Sequence, residues 1–168
     1  EEGIGCRLDA TNVIKKPFLS VITPISFDHE QFLGEAITQI AYEKSGIIKP
    51  EVPVLVAQQK KKVLKVIEEK AKANNSEIFV YGRDWDVIQK NGRLSYRDDL
   101  GKLDLPLPNL PGGHQIHNAG LALRSLRFLS KEKKVFDAAM TKAFWPARLQ
   151  LIKEGKLTQL AKTAELWI

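Results

Sequence analysis

An α/β fold, a mostly parallel sheet with flanking helices, is predicted by three features of the first half of the chain. Apolar, β-branched runs alternate with amphipathic stretches of helical period between residues 18 and 81. The runs are predominantly apolar, which suits buried strands. The order strand, helix, strand, helix, strand suits parallel strands joined by crossover helices.

The elements follow in order. Phe18 to Ile25 reads as a buried strand. Asp28 can cap the helix after it, in which Phe32, Leu33, Ala36, Ile37, Ile40 and Ala41 recur at helical spacing and which Gly46 can end. Val52 to Ala57 is a second strand, Lys60 to Asn74 a helix with Val63, Leu64, Ile67 and Ala71 inward, and Glu77 to Tyr81 a third strand. The pattern then changes. Asp86–Gln89 and Arg93–Arg97 flank Lys90-Asn91-Gly92, a hairpin signal with Asn-Gly at its centre. Leu103 to Gly113 is rich in Pro and Gly and reads as a loop. Gln115 to Leu129 returns to helix, with Ile116, Ala119, Leu123 and Leu126 on one side, and a further helix is expected from about Lys134 to Phe144. Gln150–Ile152 and Glu165–Ile168 read as short strands.

Composition bounds the function. A chain of 168 residues suffices for one well-packed domain and hardly for two. No apolar run reaches the ~18–20 residues of a membrane span, and the first residues lack the features of a signal peptide. The single cysteine, Cys6, cannot form an intrachain disulfide, which fits a reducing, cytoplasmic setting. The net charge of +6 includes the lysine runs Lys60–Lys62 and Lys131–Lys134. Both accompany helices and lack interleaved aromatics, so solvated faces are expected and nucleic acid is not.

Three early segments carry groups with chemistry. EEGIGCRLDATN holds glycines that permit close backbone approach and the hard oxygen donors Glu1, Glu2 and Asp9, which suit Mg²⁺. SFDHEQFLG puts Asp28 and His29 directly after a strand, where α/β folds place ligands. YEKSGIIKP puts Lys44 at a helix C-terminus, where a lysine ordinarily complements the helix dipole. Taken singly, each also reads as an ordinary surface turn or helix end.

Together, in this order and spacing, they resemble the folylpolyglutamate synthase and dihydrofolate synthase family of the Mur ligase superfamily, whose first motif is close to EVGLGGRLDATN. LPGGHQIHNAGLAL resembles the family's GxHQxxNAxxA segment, FWPARLQ its WPGRLE segment, and AELWI the strand before its DGxHNP loop. The likeness is weakest between Gln58 and Leu103.

The resemblance implies an ATP-dependent ligase that joins glutamate to dihydropteroate or a folate through an acyl phosphate, with ATP and Mg²⁺ as cofactors. Matched residue by residue, Glu1 and His29 fall on magnesium ligands and Lys44 on a catalytic lysine that is carbamylated in the family. Leu8, Asp9 and Ala10 fall on the segment near the pterin substrate, and Asn118 and Arg148 on nucleotide-binding positions. His114 and Gln115 belong to the motif with a structural role only, and His117 is expected to be exposed.

The sequence departs from the family pattern at Glu2, Cys6, Gly113 and Ala147, and it contains no G-x-x-G-K-[ST] phosphate loop; Gly155-Lys156-Leu157 is no substitute. The expected organisation is therefore a partial central ATPase domain over residues 1–152, lacking its phosphate loop, followed over 153–168 by the start of a connection to a C-terminal glutamate-binding domain. Such a central fragment is expected to be inactive alone unless a second chain supplies the remaining parts. The alternative from another class is a non-catalytic remnant or interaction module of the same fold. A cell-wall ligase of the same superfamily is disfavoured by RLDATN and WPxRLQ.

Overall fold

The computed structural model describes residues 12–26, 36–146, 150–161 and 165–167. The chain forms two compact units, Glu1–Asp86 and Val87–Ile168.

In the first unit, β1 (Ser20–Ile22), β2 (Val54–Val56) and β3 (Ile78–Val80) form a parallel sheet in that order. The register pairs Ser20 with Val54 and Ile22 with Val56, then Val54 with Ile78 and Val56 with Val80. Every residue of β2 is buried, which explains why its sequence is continuously apolar. The crossovers carry α1 (Ile37–Lys44), which runs into a 3₁₀ turn (Ser45–Ile47), and α2 (Lys61–Ala73). Ile40 and Ala41 of α1 and Val63, Ile67 and Ala71 of α2 close over Ile22, Val54, Val56 and Val80 to form one apolar core. Helix α2 ends where Asn75 turns to φ 51° and the Ser76 N–H reaches back to the Ala71 carbonyl. Lys60, Lys61 and Lys62 are exposed at the other end of this helix.

The second unit is built on β4 (Trp85–Lys90), whose first two residues close the first unit, β5 (Arg93–Asp98) and β6 (Gly101–Leu105), which form a sheet in sequence order with β5 and β6 antiparallel. Asn91 and Gly92 both take positive φ, 50° and 70°, as a two-residue hairpin turn demands. Strand β6 corrects the expectation of a loop from Leu103 onward. Gly101, at φ 112°, turns the chain back so that Leu105 buries opposite Leu94 before Pro106 follows. Helices α3 (His114–Arg127) and α4 (Lys133–Lys142) pack together and reach this sheet through β5 and β6 respectively. The buried residues here include Leu94, Tyr96, Leu105, Ala119, Leu123, Phe136 and Met140.

The inward side of α3 is wider than its spacing predicts. Ala119 and Leu123 are buried as expected and Ile116 and Leu126 only partly, while Arg124 is buried as well. Arg124 and Arg127 meet Asp98 at the end of β5, where Arg127 Nε lies 3.0 Å from Asp98 Oδ2. Toward the end of the chain, β7 (Leu151–Ile152) and β8 (Leu166–Trp167) pair antiparallel. Between them lies a short helix, α5 (Lys156–Ala161), which the sequence reading did not anticipate.

Candidate functional site

The described residues hold two of the expected site residues, one in each unit. Glu1, Leu8, Asp9, Ala10, His29 and Arg148 lie outside the described residues.

Lys44 occupies the last turn of α1 and is half-buried. The turn after it is built with care. Ser45 is fully buried and its hydroxyl donates to the Ala41 carbonyl, while Ser20 Oγ of β1 donates to the Ile47 carbonyl at 3.1 Å. Asn12, the last residue of the first motif, donates through Nδ2 to the Gly46 carbonyl at 3.3 Å, and Lys49 Nζ donates to the Asn12 carbonyl at 3.3 Å. The end of the first motif is thus tied to the segment that carries Lys44. Sequence reasoning gave Asn12 no role; its only signal was to be the terminal polar residue of a motif. Gln59 does similar work at the exit of β1, accepting from Ile25 N–H at 3.0 Å and donating to the Thr23 carbonyl at 2.8 Å. It thereby orients the chain just before the segment of His29. Among the described residues no three His, Cys, Asp or Glu side chains gather as a metal site.

Asn118 sits near the start of α3, beside a cavity of about 280 Å³. Pro108 and Leu110 of the loop form one side of the cavity, and Gln115, Asn118, Ala119 and Ala122 of α3 another. Ala139 and Met140 of α4, with Ala143 and Trp145 beyond it, complete the lining. The loop is held in place by Asn109, whose N–H donates to the Met140 carbonyl at 2.8 Å and whose Nδ2 donates to the Ala143 carbonyl at 3.3 Å. Gly112, two residues before α3, takes φ +113°, and a Cβ there would come within 2.6 Å of the His114 ring, so the motif needs glycine at this point. Gly113 has open space around its Cβ position and an ordinary helical φ, so the fold does not require glycine there. His117 is exposed, as expected.

Four alanines give the cavity a close, smooth wall, and its polar groups are the paired amides of Gln115 and Asn118, with Asn118 Nδ2 donating to Gln115 Oε1 at 3.0 Å. A mostly apolar slot of this size, with a few oriented polar groups and a tryptophan at its mouth, suits a flat heteroaromatic ring better than a whole nucleotide. Leu110, Ala143 and Trp145 also border a neighbouring cavity of about 340 Å³, which Lys153 and Trp167 help to line. No described helix is long and apolar enough to cross a membrane.

No family model matches the chain. Individual proteins do. The chain is 31% identical to a dihydrofolate synthase/folylpolyglutamate synthase of Bacillus subtilis, over 92% of its own length and 38% of the relative's. It is 38% identical to the protein of the same description from Mycobacterium tuberculosis, over 100% of its own length and 36% of the relative's. Its structure superposes on a folylpolyglutamate synthase in complex with AMPPCP and folate with a TM-score of 0.79, at 31% identity, covering 91% of this chain and 40% of that one. The chain therefore spans about two fifths of the length of the relatives it matches.

Proposed function

Since the chain belongs to the folylpolyglutamate and dihydrofolate synthase family, we propose that it forms part of an ATP-dependent ligase that joins glutamate to dihydropteroate or to a folate. The observation that carries this reading is the cavity beside Asn118, an apolar slot with oriented amides, in a chain similar to a protein solved with an ATP analogue and folate. In this reading the slot takes the adenine ring, and Arg148 reaches the ATP phosphates with the planar fork that suits them. The segment of Leu8, Asp9 and Ala10 meets the pterin. Glu1, His29 and a carbamylated Lys44 hold magnesium, whose contribution is to neutralise charge on the phosphates during acyl-phosphate formation.

These 168 residues contain no phosphate loop. Binding of adenine and turnover are therefore separable. The described lining of the adenine slot lies within one compact unit, whereas phosphoryl transfer needs a backbone cradle for the phosphates. The test is ATP hydrolysis by the purified chain with Mg²⁺, dihydropteroate and glutamate, beside a Lys44→Ala control. The expected result is no turnover above that control from a chain that still binds AMPPCP. Turnover that Lys44→Ala abolishes would overturn the claim that the chain is inactive alone. A folded chain that binds no AMPPCP would instead favour the non-catalytic remnant.

A further inference from the structure

Gln115 is 8% exposed, one turn before Asn118 on α3, and its Oε1 accepts a hydrogen bond from Asn118 Nδ2 at 3.0 Å. Asn118 is exposed on the cavity side. We infer that Gln115 is a positioning residue that fixes the orientation of the Asn118 amide and thereby makes the cavity select 6-amino over 6-oxo purines. The inference rests on the reading of this cavity as a purine slot.

The argument is one of donor and acceptor count. An asparagine amide has one acceptor oxygen and two N–H donors. With one N–H given to Gln115, Asn118 keeps its Oδ1 and its second N–H for a ligand. That pair matches the adjacent 6-amino donor and ring-nitrogen acceptor of adenine, the pairing asparagine makes with adenine elsewhere. A 6-oxo purine presents the opposite order, an acceptor oxygen beside a protonated ring nitrogen. An unrestrained asparagine would satisfy it by a half-turn about its last side-chain bond, because that torsion is two-fold and soft. Here the half-turn would bring Asn118 Oδ1 against Gln115 Oε1, two acceptors with no proton between them. Relieving that clash would require the amide of Gln115, which is buried, to turn as well.

The experiment uses the 168-residue chain with adenosine and inosine, which carry no phosphate and so bypass the missing loop. Binding is followed by the ¹H–¹⁵N shift of the Trp145 indole at the cavity mouth, for wild type, Gln115→Met and Gln115→Glu. Glutamate keeps an acceptor that cannot turn into a donor; methionine keeps the bulk and loses the acceptor. A preference of about tenfold for adenosine is expected in the wild type, the worth of one well-made hydrogen bond against a mismatched one. Gln115→Glu should keep that preference, and Gln115→Met should bring the two nucleosides within about twofold of each other, since the freed amide then serves both. A Gln115→Met protein with wild-type preference, or a Gln115→Glu protein that loses it, would overturn the positioning role while leaving the purine slot standing. Absence of any shift with either nucleoside in the wild type would remove the purine slot and the positioning role with it. Should Gln115→Met fail to fold, Gln115→Ala, which also lacks the acceptor, takes its place with the same expected and contrary results.

Discussion

Replacing Asp98 by alanine should destabilise the second unit more than any surface change in it. The carboxylate is fully buried and serves four donors. Tyr96 Oη donates to it at 2.9 Å, the Leu100 N–H at 3.0 Å, and Arg127 through Nε at 3.0 Å and Nη2 at 3.4 Å. The side chain of Arg127 is 6% exposed; among the described residues its ion-pair partner is Asp98, and it also lies over the rings of Tyr96 and Phe136 at 6.0 and 5.2 Å. Arg124 is better insured, since Asp99 lies 3.3 Å from its Nη2. The magnitude therefore follows mainly from one guanidinium left buried without an anion, about 3–5 kcal/mol. Against a total of about 5–15 kcal/mol for a small domain, that is a large share. Asp98→Asn keeps one acceptor oxygen where the carboxylate has two, with Tyr96 on Oδ2 and Leu100 on Oδ1, and it loses the charge, so it should cost roughly 1.5–3 kcal/mol, the worth of a hydrogen bond to a charged group. Arg127→Met in the Asp98→Ala background should cost less than the two single changes added together, because it removes the orphaned charge. Urea unfolding followed by far-UV circular dichroism reads the four variants against wild type. A loss of under about 1 kcal/mol for Asp98→Ala would refute the reasoning, since no buried unpaired guanidinium costs so little.

Three further outcomes follow from the same geometry. Burial, reinforced by the neighbouring Asp98 charge and its hydrogen bond, holds the Tyr96 hydroxyl well above the ordinary tyrosine range; its stabilising contribution is complete below about pH 10, the unfolded value, and is lost as pH rises beyond it. Urea titrations between about pH 9 and pH 12 should therefore show a shallower alkaline loss for Tyr96→Phe than for wild type, and equal slopes would contradict the assignment. Ala122 is exposed on α3 yet lines the cavity, so Ala122→Phe should abolish AMPPCP binding in equilibrium titration while the thermal midpoint stays near wild type. Gly112→Ala should cost about 1–3 kcal/mol in urea unfolding, because a side chain at φ +113° is strained and its Cβ meets the His114 ring.

Legibility from sequence followed the range of the interactions. The parallel core was readable because each strand and helix announces itself in a local pattern: Val54, Leu55 and Val56 as an unbroken apolar run, Val63, Ile67 and Ala71 at helical spacing. Strand β6 was missed because Gly101 and Pro106 bracket only a few residues, and a punctuated segment reads as loop. Helix α5 was missed for a related reason. Leu157 and Leu160 are exposed, so no inward stripe marks it, and its start depends on Gly155 at φ +125° with Thr158 Oγ1 donating to the Gly155 carbonyl. The sequence reading gave Arg124 and Arg127 no role. Their partner Asp98 stands 29 residues before Arg127, and nothing local signals a pairing over that distance. Of the proposed site, Lys44 and Asn118 were singled out through resemblance, since spacing alone favoured ordinary helix-surface roles. The residues that hold their surroundings in place, Asn12, Gln59, Asn109 and Gln115, act through hydrogen bonds that only the folded chain brings within reach, save that of Gln115 one helical turn away.

The most direct test of the proposed nucleotide role is a titration of the uniformly ¹⁵N-labelled chain with AMPPCP and Mg²⁺, beside Asn118→Ala. The expected result is a saturable set of shifts centred on Asn118 and the Trp145 indole, weakened about tenfold or more in Asn118→Ala by the loss of an oriented hydrogen bond. Shifts that leave the cavity untouched, or that are the same in the two proteins, would contradict the assignment of this slot to the adenine of ATP.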